Sequence, residues 1–485
     1  MVELLRGRVK MTNQDVLSFR YATPEMNAIF SERGKIIAER KLWIAVMRAQ
    51  RELGIDIPLE EIKKFEAVVE NVDLNRIEEL ERESRHDVNA RIKAFIEIAG
   101  AREYIHRGMT SRDLTDNVEQ MQIKAAVSLI LGKAVSVARH LGEKADKYRH
   151  IELTSRTHHQ PAQLTLLGRR LSMTAEELVY GVQRLEEFLA AYPLRGIKGP
   201  VGTQADMLKY LGSNERVQAL EKAVAAHLGF STVLESPGQI YPRSLDFDLA
   251  SRLLLIGAAY SNFGLNMRLM SGYELATEGF KAGQVGSSAM PHKMNTRTSE
   301  RINGMMKILR MNTFGLSELA GEQWEEGDVS DSSPRRVMIP ALFYTIDGMT
   351  EATLTVLNEM GVYEAIISQE VDRYLPFLAT TQILAEVVRQ GAGREEAHAV
   401  IKRYAVGEAL RMRDEGSEPK LAQRLAEDPL FSANGITVET IQGILQNKSV
   451  FLGNAYQQID AVLGKIEGLC QRYENEARYE PRDIK

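Results

Sequence analysis

Residues 111–150, SRDLTDNVEQMQIKAAVSLILGKAVSVARHLGEKADKYRH, decide the fold class. From Leu114, apolar positions recur at Val118, Met121, Ala125, Leu129 and Gly132, then at Val135, Ala138 and Leu141. Steps of three and four place these side chains on one face of a single helix running to about His150. Similar patterns occupy about 162–191, 243–275, 299–321 and 334–360, with few internal Pro or Gly. Alternating runs rich in β-branched residues are scarce. Helices of roughly 20–35 residues exceed the globular mean of about 11–12 and predict a bundle, with apolar seams facing neighbouring helices or subunits. The expected fold is all-α, divided into an N-terminal helical domain at 1–111, a central long-helix bundle at 112–364 and a C-terminal helical domain at 365–485.

Composition sets the outer bounds. A chain of 485 residues is too long for one ordinary core, and 44% hydrophobic with 26% charged residues matches a globular protein. The net charge of −5 gives no reason to expect a nucleic-acid partner, which favours a basic face. A single cysteine, Cys470, rules out an intrachain disulfide and offers no zinc cluster. The opening MVELLRGRVK lacks the apolar core of a secretory signal. The longest apolar run, LLLIGAAY at 253–260, falls far short of the roughly 18–20 residues needed to span a bilayer. A cytoplasmic protein with no membrane partner is expected.

The stretch richest in chemistry is 282–304, AGQVGSSAMPHKMNTRTSERING. It sets two adjacent hydroxyls, Ser287 and Ser288, shortly before the ammonium of Lys293, then adds the amide of Asn295 and the charges of Glu300 and Arg301. Hydroxyl, cation and amide together suit removal of a carbon-bound proton while the negative charge left on a neighbouring carboxylate is stabilised. A plain linker before a helix is the alternative.

Four other segments carry candidate groups. In Ser18-Phe19-Arg20-Tyr21-Ala22-Thr23-Pro24-Glu25-Met26, Arg20 and Tyr21 can present a planar cation and a phenol to a phosphate, or stand as a solvated Arg beside a packed Tyr. Ser84-Arg85-His86-Asp87-Val88 sets a histidine between a cation and a carboxylate, which tunes a pKa; a charge cluster at a helix end gives the same pattern. Gly108-Met109-Thr110-Ser111-Arg112-Asp113 resembles a capping box with Asp in place of Glu or Gln, and a helix N-terminus also seats phosphate. Thr110 can cap while Ser111 binds. In Thr154-Ser155-Arg156-Thr157-His158-His159-Gln160-Pro161-Ala162-Gln163, an imidazole is the natural proton shuttle near pH 7; metal ligation would need further ligands nearby.

Taken together these segments resemble a known family. GSSxMPxKxN is the hallmark loop of the fumarase/aspartase superfamily of lyases, and GSSAMPHK is the form found in adenylosuccinate lyases. The RYATPEM, RHDV, TSRD and TH-x-Q-P-A-Q segments resemble the corresponding motifs of that family. So do Lys198-Gly199-Pro200-Val201-Gly202-Thr203-Gln204-Ala205 and Pro237-Gly238-Gln239-Ile240-Tyr241. The motifs run in the family's order from residue 18 to 336.

The resemblance implies a three-domain fumarase/aspartase-like fold and a β-elimination that breaks a C–N bond and releases fumarate. It implies Ser287 as general base and His158 as general acid, with His86 close to that pair, and Lys293 and Asn295 stabilising the doubly negative carboxylate. Phosphate recognition falls to Arg20, Tyr21, Thr110 and Ser111, with Arg85, Asp87, Gln239, Arg301, Ser332 and Arg336 completing the substrate contacts. A structural role is expected for His159. No metal or other cofactor is required, and a homotetramer with shared active sites is implied. Two positions depart from the pattern. Gly327 stands where the family has an arginine, for which Arg301 or Arg335 would have to compensate, and Thr296 replaces a proline. A sister lyase or cycloisomerase acting on another succinyl or carboxylate substrate, or a catalytically silent helical oligomer, are the alternatives.

Overall fold

The computed structural model describes residues 15–279, 290 and 292–482. The described residues open with short helices α1 (Val16–Arg20) and α2 (Pro24–Phe30), then α3 (Glu32–Glu52), α4 (Leu59–Ala67), α5 (Leu74–Ser84) and α6 (Asp87–Ala99). The long helix α7 (Ser111–Lys147) leads into a hairpin, β1 (Glu152–Thr157) and β2 (Gln160–Leu166), and returns through α8 (Leu167–Ala191). Short α9 (Ala205–Leu211) and α10 (Asn214–His227) precede α11 (Ser244–Gly272). Strand β3 (Ala276–Thr277), α12 (Arg297–Glu318), α13 (Ser332–Glu359) and β4 (Gly361–Val362) complete the bundle.

The remainder is helical too: α14 (Glu364–Leu378), α15 (Thr380–Arg389), α16 (Arg394–Glu415), α17 (Leu421–Ala426), α18 (Pro429–Ala433), α19 (Val438–Gln446) and α20 (Ala455–Arg472). A separate core forms around Ile383, Val387, Leu425, Phe431 and Ile441. Helix α20 then packs back on α7 and α8, where Ile459, Val462, Ile466 and Leu469 are buried.

The expected all-α class holds, with one local correction. The helical pattern read over 162–191 begins only at Leu167; residues 160–166 pair antiparallel with 152–157. Pro161 near the start of that segment lacks the N–H a helix interior needs, and Leu164, Thr165 and Leu166 bury as a strand.

Helix α7 also differs from a one-faced stripe. Ala125 is exposed and Met121 half-buried, whereas Ile123, Ala126, Val127 and Ile130 are buried. From Ile130 to Gly142 nearly every side chain is enclosed. A helix surrounded by α8, α13, α3 and α20 buries apolar side chains on several sides, so no single row of threes and fours describes it. Its most apolar 18-residue window reaches the hydropathy of a membrane span, yet 67% of that window is buried within the fold, the mark of a core helix.

Chain direction sorts the bundle into two ends. The β1–β2 hairpin, the ends of α11 and α13 and the start of α12 gather at one end, where β3 pairs with β4. The starts of α7, α11 and α13 gather at the other. At about 1.5 Å per residue, α7 separates the two ends by roughly 55 Å.

Candidate active site

At the hairpin end the strands are joined by His158 and His159 alone, and both adopt left-handed backbone, φ +48° and +63°. Two-residue hairpins that fit sheet twist require this geometry and ordinarily use Asn-Gly. An L-residue pays about 1–2 kcal/mol for it. Strain at two adjacent histidines points to a demand on their side chains. His159 Nε2 lies 3.1 Å from the Tyr273 hydroxyl, with the two rings in contact. Arg156 stands over that tyrosine ring at 4.3 Å and pairs with Glu370 of α14. His159 thus contacts Tyr273 while exposed, and His158 is likewise exposed at the tip.

Lys293 is exposed beside a cleft of about 430 Å³ lined also by Thr277, Met294 and Tyr363. Asn295 is half-buried next to it. Ser287 lies outside the described residues. The base of its loop is held from the side: Glu278 accepts the N–H groups of Thr298 and Ser299, each at 2.9 Å, and the Ser299 hydroxyl at 2.8 Å. Thr296 makes no side-chain cap, so Glu278 supplies the N-terminal anchor of α12. Arg301 stands over the Tyr21 ring at 5.5 Å. Arg20 is exposed at the end of α1, and the α1–α2 turn is stapled by Asn27, whose amide donates to the Ser18 carbonyl at 3.0 Å.

At the opposite end the Thr110 N–H donates to Asp113 Oδ2 at 2.8 Å, the return half of the expected capping box. Asp113 does much more than cap. Its Oδ1 accepts from Arg195 Nη1 at 2.6 Å, from the Lys198 N–H at 2.8 Å and from the Gly199 N–H at 3.0 Å. Three and six residues on, the same face of α7 presents Asp116 and Glu119. Asp116 accepts the Tyr241 N–H at 3.1 Å and pairs with Arg243 at 3.3 Å. Glu119 takes Arg335 at 2.6 Å.

Each acid therefore fixes one motif segment: 195–199, 239–243 and 331–336. Burial works against the Arg335 charge, but Asp246 and Glu119 outweigh it and hold the guanidinium protonated far above its ordinary range. Arg335 is consequently committed and supplies no free group in place of the absent arginine, and Arg301 belongs to the other half of the bundle. Sequence patterns missed this acidic row because the partners that matter lie 82 to 216 residues away.

The other candidates are placed as follows. His86 caps α6, its Nδ1 accepting the Asn89 N–H at 3.3 Å, and Asp87 pairs with Arg91 at 2.9 Å; Arg85, at φ +51°, closes α5. Burial raises the Asp87 pKa, and Arg91 with the Val88 N–H more than reverses this, leaving it low. The Gln239 N–H donates to the Glu326 carbonyl at 2.6 Å. Ser332 is the first residue of α13 and half-buried, and Arg336 lines a small cleft of about 150 Å³ with Lys35 and Glu119. Gly327 has φ +134°, and a Cβ there would stand 3.0 Å from Ile240 Cγ1. Within one chain, then, His158, Lys293, Asn295 and Arg301 share one end, while Thr110, Ser111, Gln239, Ser332 and Arg336 share the other.

Comparison with known proteins identifies the family. A lyase family model matches residues 18–309, which places the chain among the lyases of the fumarase/aspartase superfamily. A model of the adenylosuccinate lyase C-terminus matches residues 376–462, where no sequence motif had been assigned. The adenylosuccinate lyase of Saccharomyces cerevisiae is 33% identical over 93% of this chain and 93% of its own length. That of Methanocaldococcus jannaschii is 30% identical over 96% of this chain and 98% of its own. The chain belongs to the adenylosuccinate lyase family. The crystal structure of 3-carboxy-cis,cis-muconate lactonizing enzyme from Pseudomonas putida superposes with a TM-score of 0.79, covering 94% of this chain and 100% of that one. At 21% identity that likeness concerns the fold alone.

Proposed function

We propose that this chain cleaves adenylosuccinate to AMP and fumarate, and cleaves the succinylated imidazole carboxamide ribotide of purine synthesis to its carboxamide and fumarate. The observation that carries this reading is the near full-length relation to adenylosuccinate lyases, the C-terminal part included. The sister-lyase and cycloisomerase readings have only a fold in common with it.

In this reading Ser287 removes the proton beside one carboxylate of the succinyl group. Lys293 and Asn295 stabilise the doubly negative carboxylate that results. His158 protonates the departing nitrogen, from a hairpin tip whose backbone is held by His159 and Tyr273. A serine hydroxyl is a weak base, and the Lys293 ammonium favours its ionised form. Arg20, Tyr21, Thr110 and Ser111 take the substrate phosphate. His86, Arg85, Asp87, Gln239, Arg301, Ser332 and Arg336 complete the pocket.

Two features support the reading of a homotetramer with shared sites. The motif groups lie roughly 55 Å apart in one chain, so a pocket using both needs further copies. The bundle also exposes Phe247, Leu265 and Leu269 of α11, Met173 and Tyr180 of α8 and Met311 and Phe314 of α12. Apolar faces of this extent on long helices suit burial against the same helices of other copies. The cytoplasmic location and the division at 1–111, 112–364 and 365–485 belong to the same proposal.

The test is fumarate release from adenylosuccinate by the purified protein, with His158→Ala as control. Release that the substitution abolishes supports the reading, and no release from folded tetramer would sink it.

A further inference from the structure

Lys133 lies deep in the bundle at 2% exposure and takes no part in the reaction described above. Its ammonium donates to Asp347 Oδ1 at 2.6 Å, Glu351 Oε1 at 2.9 Å and Thr23 Oγ1 at 3.2 Å. Asp347 and Glu351 are as buried as the lysine, so one cation faces two anions away from water. Such clusters are poor contributors to stability compared with apolar packing, which makes their other connections informative.

Those connections run to two distant parts of the chain. From the N-terminal side, the Thr23 N–H and hydroxyl donate to Asp347 Oδ2 at 2.7 and 2.8 Å. From the C-terminal side, the Tyr479 hydroxyl donates to Glu351 Oε1 at 2.6 Å and the Arg482 N–H to Glu351 Oε2 at 2.9 Å. That C-terminal segment is pinned on α7 by Ser136, which donates to the Tyr479 carbonyl at 2.6 Å. Arg482 also pairs with Glu25, one residue beyond Pro24.

Thr23 is two residues past Tyr21, and Tyr21 rests on the glycine adjacent to Asp347. A Cβ on Gly348 would stand 2.7 Å from Tyr21 Cβ, so the close approach requires glycine. The backbone of the Arg20–Tyr21 segment is thereby tied through Thr23, Asp347, Lys133 and Glu351 to Tyr479.

The geometry points to a positioning relay: the buried Lys133–Asp347–Glu351 cluster, clamped by the C-terminal segment at Tyr479 and Arg482, holds Arg20 and Tyr21 in register for the substrate phosphate. This rests on the reading of Arg20 and Tyr21 as phosphate contacts. Tyr479 and Thr23 are positioning residues, acting through the arginine and tyrosine and not on the reacting atoms.

The test uses the intact oligomer, with adenylosuccinate as substrate and inorganic phosphate and fumarate as separate inhibitors. Tyr479→Phe is expected to raise KM roughly tenfold, the loss of one hydrogen bond to a charged group, with kcat within about twofold. Phosphate inhibition weakens by a similar factor while fumarate inhibition is unchanged. Thr23→Val behaves alike, and Thr23→Ser, which keeps the hydroxyl, restores KM. Arg20→Ala tests the underlying reading: if it leaves KM and phosphate inhibition unchanged, the phosphate assignment fails. If Arg20→Ala raises KM and Tyr479→Phe only lowers the melting temperature, the relay is overturned. In the double variant, effects smaller than the product of the two singles support action through Arg20, and strictly multiplicative effects refute it.

Discussion

Removing the Asp113 carboxylate tests whether the acidic row on α7 assembles the motif segments. Asp113 and Arg195 are both fully buried and 2.6 Å apart. Asp113→Ala deletes that ion pair and the acceptor for the N–H groups of Thr110, Lys198 and Gly199. Breaking a buried pair by removing one partner costs about 3–5 kcal/mol, because the remaining charge stays uncompensated. The three lost hydrogen bonds are not added on top, since Arg195 still donates to the carbonyls of Gly199 and Gly238 at 3.2 and 3.0 Å.

If the loss is local, amides across 194–204 should exchange with deuterium about 10²–10⁴-fold faster, the factor for opening made easier by that energy. Hydrogen-exchange mass spectrometry reads this directly, alongside fumarate release. Asp113→Asn keeps the volume and one acceptor oxygen and should fall between wild type and Asp113→Ala. Combining Asp113→Leu with Arg195→Met replaces the pair by apolar side chains and should recover much of the stability. It cannot recover the N–H acceptors, so the turn stays loose and turnover stays low. Unchanged exchange over 194–204 in Asp113→Ala, with a uniform fall in melting temperature, would refute the idea that this carboxylate organises the turn.

Two further expectations concern single positions. Gly327→Arg should lower the thermal midpoint and raise KM instead of restoring a family contact, because φ +134° strains any L-residue by about 1–3 kcal/mol; Gly327→Ala should show the same stability loss, and a tighter KM in the arginine variant would contradict this. His106 accepts the Trp43 indole N–H at 3.1 Å on Nδ1, and burial depresses its pKa below 6.5, so the folded state resists a proton that the unfolded chain takes near pH 6.5. The stability present above that pH is lost as pH falls through 6.5 toward the depressed folded value, and His106→Gln should flatten this part of the melting-temperature profile.

Local features of the sequence carry local structure well. The row from Leu114 to Leu141 identifies a long helix because most of its positions are buried against the helices packed around α7. The Thr110–Asp113 spacing identifies a helix start because the carboxylate reaches back to the Thr110 N–H within one turn. The β1–β2 hairpin escaped because the apolar positions over 162–191 read as one helical pattern, although Pro161 stands just before it and 160–166 pair with 152–157. His158 was legible as chemistry, but its left-handed backbone was not, since nothing about adjacent histidines favours positive φ. The same limit hid Glu278, whose partners Thr298 and Ser299 lie 20 and 21 residues on.

What sequence order conceals most is distance. Thr110-Ser111 and His158 are fewer than fifty residues apart in the chain, yet a continuous helix of 37 residues separates them. At about 1.5 Å per residue that helix cannot bring its ends together, whatever side chains it carries. The motifs therefore converge only if neighbouring copies lie side by side with their ends offset. The exposed apolar faces of α8, α11 and α12 supply a surface for such an arrangement. On this view the rigidity of α7 has two consequences. It spaces the two motif groups, and its acidic face fixes the loops of one group while the hairpin that follows it carries His158, the proposed acid of the other. A change that bends α7 near its middle, such as a proline at Val127, which is fully buried, should disturb both groups at once, whereas Asp113→Ala should disturb only one.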